Sequence, residues 1–301
     1  MASLYTQAES NTRKTWLYLT GFFLLIIGIG WLISYLMQST FILWLAVILS
    51  FLMSFFSYWY SDIVVLAMTK AREIKKQDNP ELYRLVENLC IASGLPLPKI
   101  YIIDEAQPNA FATGRDPKNG VVAVTRGLLE RLDRAELEGV LAHELAHIGN
   151  RDILLSTIVV VLVGVVVIIT DFFFRIAFWG GMSGRGRDRG QARLILILFA
   201  LALAILAPLF ANLMKLAISR KREFLADASG ALLTRYPEGL ARALEKISQD
   251  PRALGTANDA TAHLYIVSPF RDKERTSWLH RLFMTHPPIE ERIKALRGME
   301  I

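Results

Sequence analysis

The chain has 301 residues, 53% of them hydrophobic, one cysteine, a mean hydropathy of +0.34, a net charge of +6 and a pI of about 9.4. The apolar share exceeds the roughly 45–50% of a soluble domain and is gathered into long uncharged runs, which argues against an ordinary soluble globule. Beside such runs a basic balance marks a membrane-facing cytoplasmic surface rather than a nucleic-acid footprint. The single Cys90 excludes an internal disulfide and reads as core packing.

In chain order, residues 1–14 read as an N-terminal tail, polar and frayed over 1–12. Residues 15–68 read as a transmembrane hairpin. Its spans are 17–37 and 41–60, each about the 20 residues a bilayer requires. Trp59 and Tyr60 suit an interfacial belt, and the apolar character revives to Met68. The first run is too long for a signal-peptide core and no cleavage site follows it.

A section from 69 to 152 follows. Asn79-Pro80 opens a helix with the stripe Leu82, Leu85, Val86 and Leu89, closed by Gly94. Residues 99–103 and 121–125 read as strands, with a third short strand between them in 108–114, so that a small sheet precedes the next helix. Asp133 and Glu136 form a capping-box pair at the start of that helix. A second transmembrane hairpin, 153–213, is expected to hold spans 153–170 and 194–213, the latter bent at Pro208. They are joined by an Arg/Gly-rich loop, 171–193. The last section, 214–301, carries helices over 219–227, 237–248 and 288–296, with a loop-rich part between the second and third.

The chemistry centres on His143-Glu144-Leu145-Ala146-His147. Histidines four apart share one face of a helix and can address one metal ion, with the intervening glutamate in reach of a water on it. A catalytic zinc takes three protein ligands and leaves one position open. None of His263, His280 and His286 follows His147 at the spacing of a third histidine in an extended H-E-x-x-H motif. Glu223, with Asp227 one helical turn on, is the stronger candidate. Standing beside Arg220, Lys221 and Arg222, it reads equally as a solvated charge.

Four motifs in order, N-A-F-A at 109–112, H-E-L-A-H at 143–147, R-E-F-L-A-D at 222–227 and H-P-P-I-E-E-R at 286–292, resemble the HtpX family of membrane zinc metalloproteases, gluzincins related to the prenyl-protein CAAX endoproteases. The resemblance covers nearly the whole chain. It implies a mainly α membrane protein: four transmembrane helices plus a gluzincin-like α+β zinc protease domain with a small β-sheet. It implies one Zn2+ per chain held by His143, His147 and Glu223, with Glu144 as general base. Asp227 would be the acceptor orienting a ligand histidine, and His286 and Arg292 accessory groups at the oxyanion. Asn109 and Ala110 would be the edge that hydrogen-bonds an extended substrate. On the bare sequence, His286 reads equally as a helix-cap residue, Arg292 as a surface charge and Asn109 as a turn residue.

Eleven Lys and Arg lie near the spans on the catalytic side and five on the other, all five in the 171–193 loop. The positive-inside rule therefore puts the catalytic sections in the cytoplasm; the five loop arginines run against it, and the third and fourth runs read alternatively as a re-entrant or partly embedded hairpin, which keeps the catalytic sections together either way. The resemblance implies that the membrane is the inner membrane of a bacterial cell. The expected partners are polypeptides, membrane proteins among them, and the lipid bilayer; no nucleic-acid partner is expected. The implied role is hydrolysis of membrane or misfolded proteins in quality control under stress. Charge-free spans speak against a transporter.

Overall fold

The computed structural model describes residues 4–162, 220–257, 261–270 and 287–299. The second half of the third apolar run, the 171–193 loop, the fourth run and His286 lie outside the described residues.

Helix α1 (Leu4–Met37) and helix α2 (Thr40–Met68) form an antiparallel pair joined at Gln38 and Ser39. Gln38 takes a left-handed φ of 51° at this corner. Residues 4–12, within the segment expected to fray, are instead the first turns of α1. At 34 residues α1 is about 50 Å long, well beyond the roughly 30 Å of a hydrocarbon core, so it carries a stretch outside any bilayer. Among the described residues, α2 is the single helix long and apolar enough by itself to cross a membrane. Both helices turn large apolar side chains outward, among them Trp31, Phe41, Trp44 and Phe51, each more than half exposed.

The next section builds a four-stranded sheet in the order β1-β2-β4-β3. Its strands are β1 (Arg72–Glu73), β2 (Lys99–Ile103), β3 (Ala110–Gly114) and β4 (Gly120–Thr125). β2 and β4 run parallel, while β1 and β3 pair antiparallel on either side, leaving β3 at an edge. Helix α3 (Pro80–Ser93) starts where Asn79 accepts from Leu82 N and stops at the left-handed Gly94. Helix α4 (Arg126–Arg131) leads into α5 (Arg134–Gly149), whose start is the Asp133/Glu136 capping box.

Asn150 and a left-handed Arg151 (φ 55°) end α5, and helix α6 (Asp152–Leu162) departs at 83° to it. Beyond 162 come α7 (Arg220–Thr234), α8 (Pro237–Ser248) and α9 (Ile289–Arg297).

Strand alternation divides the core between two faces. Ile100, Val122, Val124, Ala110 and Ala112 meet α3, α5, α8 and α9 on one face. Ile103, Phe111 and Ala123 meet Leu19 and Phe22 of α1, Val65 of α2 and the apolar face of α6 on the other. The sheet is therefore clamped between the catalytic helices and the helices of the apolar runs. Close helix contact on the first side depends on Gly230 of α7, where a Cβ would stand 2.9 Å from the backbone nitrogen of His143.

Candidate metal centre

The capping box fixes the register of α5. Glu136 N donates to Asp133, and Asp133 N donates to the Glu136 carboxylate. With that register His143 and His147 rise on one face, ring centroids 4.7 Å apart, and their Nε2 atoms stand 3.2 Å from each other. Helix α7 brings Glu223, whose carboxylate oxygens lie 3.8 Å from His143 Nε2 and 3.6 Å from His147 Nε2. One donor atom from each of the three residues falls within 4.8 Å of the others.

The other imidazole nitrogens are committed. His143 Nδ1 lies 2.9 Å from Asp227 and His147 Nδ1 3.0 Å from Asp152. An ionised carboxylate only accepts, so each Nδ1 carries the proton; in the neutral imidazole, the form that binds a metal, each Nε2 then presents a lone pair. In that form the two lone pairs cannot hydrogen-bond each other at 3.2 Å, and a cation between them satisfies both; with no cation there, burial would lower His147 but Asp152 and Glu223 push it up to about 9, and its proton fills the gap. Tetrahedral zinc with bonds of about 2.0–2.1 Å sets its ligand atoms about 3.3 Å apart, close to the observed spacing, so the donor set fits a metal.

A buried cation offsets part of the negative charge around the site. Arg292 of α9 is fully buried and grips Asp227 with Nε and Nη2 at 2.8 and 2.7 Å. Its Nη1 donates to Ile266 O at 2.9 Å and lies 3.4 Å from Glu223. Burial alone would raise Asp227, but Arg292 and the hydrogen bonds from His143 and Arg292 hold its carboxyl down at about 2. Glu144 points into the cleft beside His147 and Glu223. Burial pushes its carboxyl up to about 7, with His147 and the N–H of Ala112 working in the opposite direction.

Not every expected residue arrives where the motifs put it. Ala112, Glu144, His147, Glu223, Arg222 and His263 are among the residues that line the cleft; Asn109 and Ala110 are not. Asn109 donates to Val267 O at 2.9 Å, and Ala110 O accepts from Ile266 N at 3.0 Å. The outward edge of β3 is thus already taken at that end by the segment 265–267. The pairing with β4, in which Thr125 N donates to Asn109 O, turns the alternate residues Ala110, Ala112 and Gly114 outward. Ala112 is therefore the edge residue that meets the cleft.

Arg292, expected at the oxyanion, is spent on Asp227 and Glu223, because a buried guanidinium needs those carboxylates. Asp152, Arg222 and His263 did not emerge from the motifs as site residues. Asp152 had a signal, an acid five residues after His147 and just past the helix end. His263 had none, being delivered by a short helical turn at 262–264.

Two imidazoles and a carboxylate converging on one point, with a buried glutamate beside them in a cleft, define a metal-dependent hydrolase site. The model of peptidase family M48 matches residues 76–300. A protease HtpX homolog of Dictyoglomus thermophilum is 46% identical over 298 residues, covering 99% of this chain and 95% of its own. One from Streptococcus uberis is 44% identical over 300 residues, 98% and 100% of the two chains, and one from Thermococcus sibiricus 44% over 272 residues, 90% and 91%. The solved structure of S. mikatae Ste24p aligns with a TM-score of 0.49 at 20% identity, over 97% of this chain and 66% of that one. The chain belongs to peptidase family M48, among the HtpX proteases: it is a membrane-associated metalloprotease.

Proposed function

We propose that the protein is a zinc-dependent endopeptidase of a bacterial inner membrane. Its catalytic sections face the cytoplasm, and it cleaves membrane or misfolded proteins in quality control under stress. The observation that carries the reading is the convergence of His143, His147 and Glu223 with Glu144 alongside. Four spans, the third and fourth beginning at 153 and 194, keep all catalytic sections on one side.

His143, His147 and Glu223 would hold the zinc, and Asp227 and Asp152 hold the two imidazoles in the tautomer this requires. When bound, zinc acidifies a water and polarises the scissile carbonyl. Glu144 takes the water's proton and returns it to the leaving amine, a task suited to a buried carboxyl that faces the cleft beside His147 and Glu223. Arg292 keeps Asp227 ionised and braces Glu223. His286, from the H-P-P-I-E-E-R motif, is the donor we assign to the developing oxyanion.

An extended substrate pairs with the edge of β3 at Ala112, chiefly through its backbone, which gives broad sequence tolerance. Glu144→Gln tests this reading. The variant should retain metal while casein cleavage falls by about a hundredfold or more. Cleavage at the unsubstituted rate would remove Glu144 from the reaction.

A further inference from the structure

We propose that Asn11, in the first turns of α1, is a positioning residue for the metal centre: it locks the Asp152 carboxylate so that Asp152 can hold His147. Asn11 is 1% exposed, although it sits in a polar segment with no apolar reason to be buried. Its Nδ2 donates to Asp152 Oδ1 at 2.7 Å and to Asn150 O at 3.1 Å. The second oxygen of Asp152 receives His147 Nδ1 at 3.0 Å. Arg222 Nη1 also reaches Oδ1, but at 3.4 Å. A line of hydrogen bonds therefore runs from α1 through Asp152 to the imidazole whose Nε2 faces Glu223.

The place is one that needs fixing. Asn150 and Asp152 flank the left-handed Arg151, where α5 gives way to α6 at 83°. A carboxylate on the far side of such a corner keeps its orientation towards His147 only if the corner cannot rotate. One amide bridging the carbonyl before the corner and the carboxylate after it supplies that constraint. Thr15, one turn on, donates its hydroxyl to Asn11 O and braces α1 locally. The inference rests on the metal reading above. It adds that the centre is incomplete without a segment some 130 residues upstream of its first ligand, on the helix that continues into the first apolar run.

The test is zinc affinity of the full-length chain in detergent, by competition with a chromogenic chelator, which reads binding and not turnover. Asn11→Ala should bind zinc about three- to tenfold more weakly, less than the 10- to 100-fold typical when a ligand's own hydrogen-bond partner is removed. In an Asp152→Ala background Asn11→Ala should cause no further loss. Thr15→Val should leave the affinity unchanged. Asn11→Asp, equal in volume but with an acceptor facing Asp152, is the second variant should Asn11→Ala not fold, and should lose at least as much.

Parent-like affinity in either Asn11 variant overturns the proposal, as does an equal loss in Thr15→Val or in the Asp152→Ala background. Failure of the unsubstituted chain to bind zinc at all would overturn the metal reading, and the proposal with it.

Discussion

At the scale of single residues, the site is a set of buried charges that stand only in company. Arg292 faces Asp227 and Glu223 in the interior, and removing it strands two carboxylates. Arg292→Ala should therefore lower stability by about 3–5 kcal/mol, read by chemical denaturation in detergent, because an uncompensated buried charge costs far more than an exposed pair gains. A variant as stable as the parent would show that the pair is not buried in solution. Cys90 gives a contrasting case. Burial pushes its thiol up to about 11, so thiolate is scarce below that pH and the native chain should react with iodoacetamide about a hundredfold more slowly than the denatured chain. Equal rates would place Cys90 at the surface.

Residue identities were readable from sequence where chemistry and spacing are local: two histidines four apart, and a glutamate and aspartate one turn apart. They were not readable where a loop delivers the side chain, as with His263, or where strand register decides which backbone groups face outward, as with Ala110 and Ala112.

At the scale of elements, α5 is positioned by what lies against it. Gly230 lets α7 approach until a Cβ would meet His143 N at 2.9 Å. A methyl group there must push α7, and Glu223 with it, away from α5. Gly230→Ala should cost about 1–3 kcal/mol of stability and weaken zinc binding together, measured by denaturation and chelator competition on the same sample. Unchanged values for both would show that the helices do not meet at this point.

The helix starts were written in the sequence as caps, at Asn79 and at Asp133, because a cap is a contact within four residues. β1 was not, since two residues form a strand only by virtue of pairing with β2. Nor was the helicity of residues 4–14, whose polar side chains carry no stripe; Asn11 is buried through partners more than a hundred residues away.

At the scale of the whole molecule, the catalytic section and the apolar helices are not separate bodies joined by a linker. The sheet's second face packs directly on α1, α2 and α6, and Arg115, just past β3, lies 4.4 Å over the ring of Trp59 on α2. The outward apolar side chains of α1 and α2 should keep the chain in the membrane pellet through alkaline carbonate washing, with release only by detergent. Recovery in the carbonate supernatant would mean that α2 lies on a membrane and does not cross it. Apolar run length pointed to this part of the architecture from sequence, and among the described residues α2 meets that expectation by itself. The packing of the sheet onto those helices was hidden, because residues 99–103 and 121–125 are apolar on both faces and name no partner.

The ligand set itself is tested most directly by the zinc content of purified Glu223→Ala beside the unsubstituted chain, measured by elemental analysis after desalting. With His143, His147 and Glu223 as the ligands, the unsubstituted chain carries about one zinc and the variant about a tenth of that or less. A variant that retains zinc at the level of the unsubstituted chain would contradict the ligand set, and with it the metal centre proposed here.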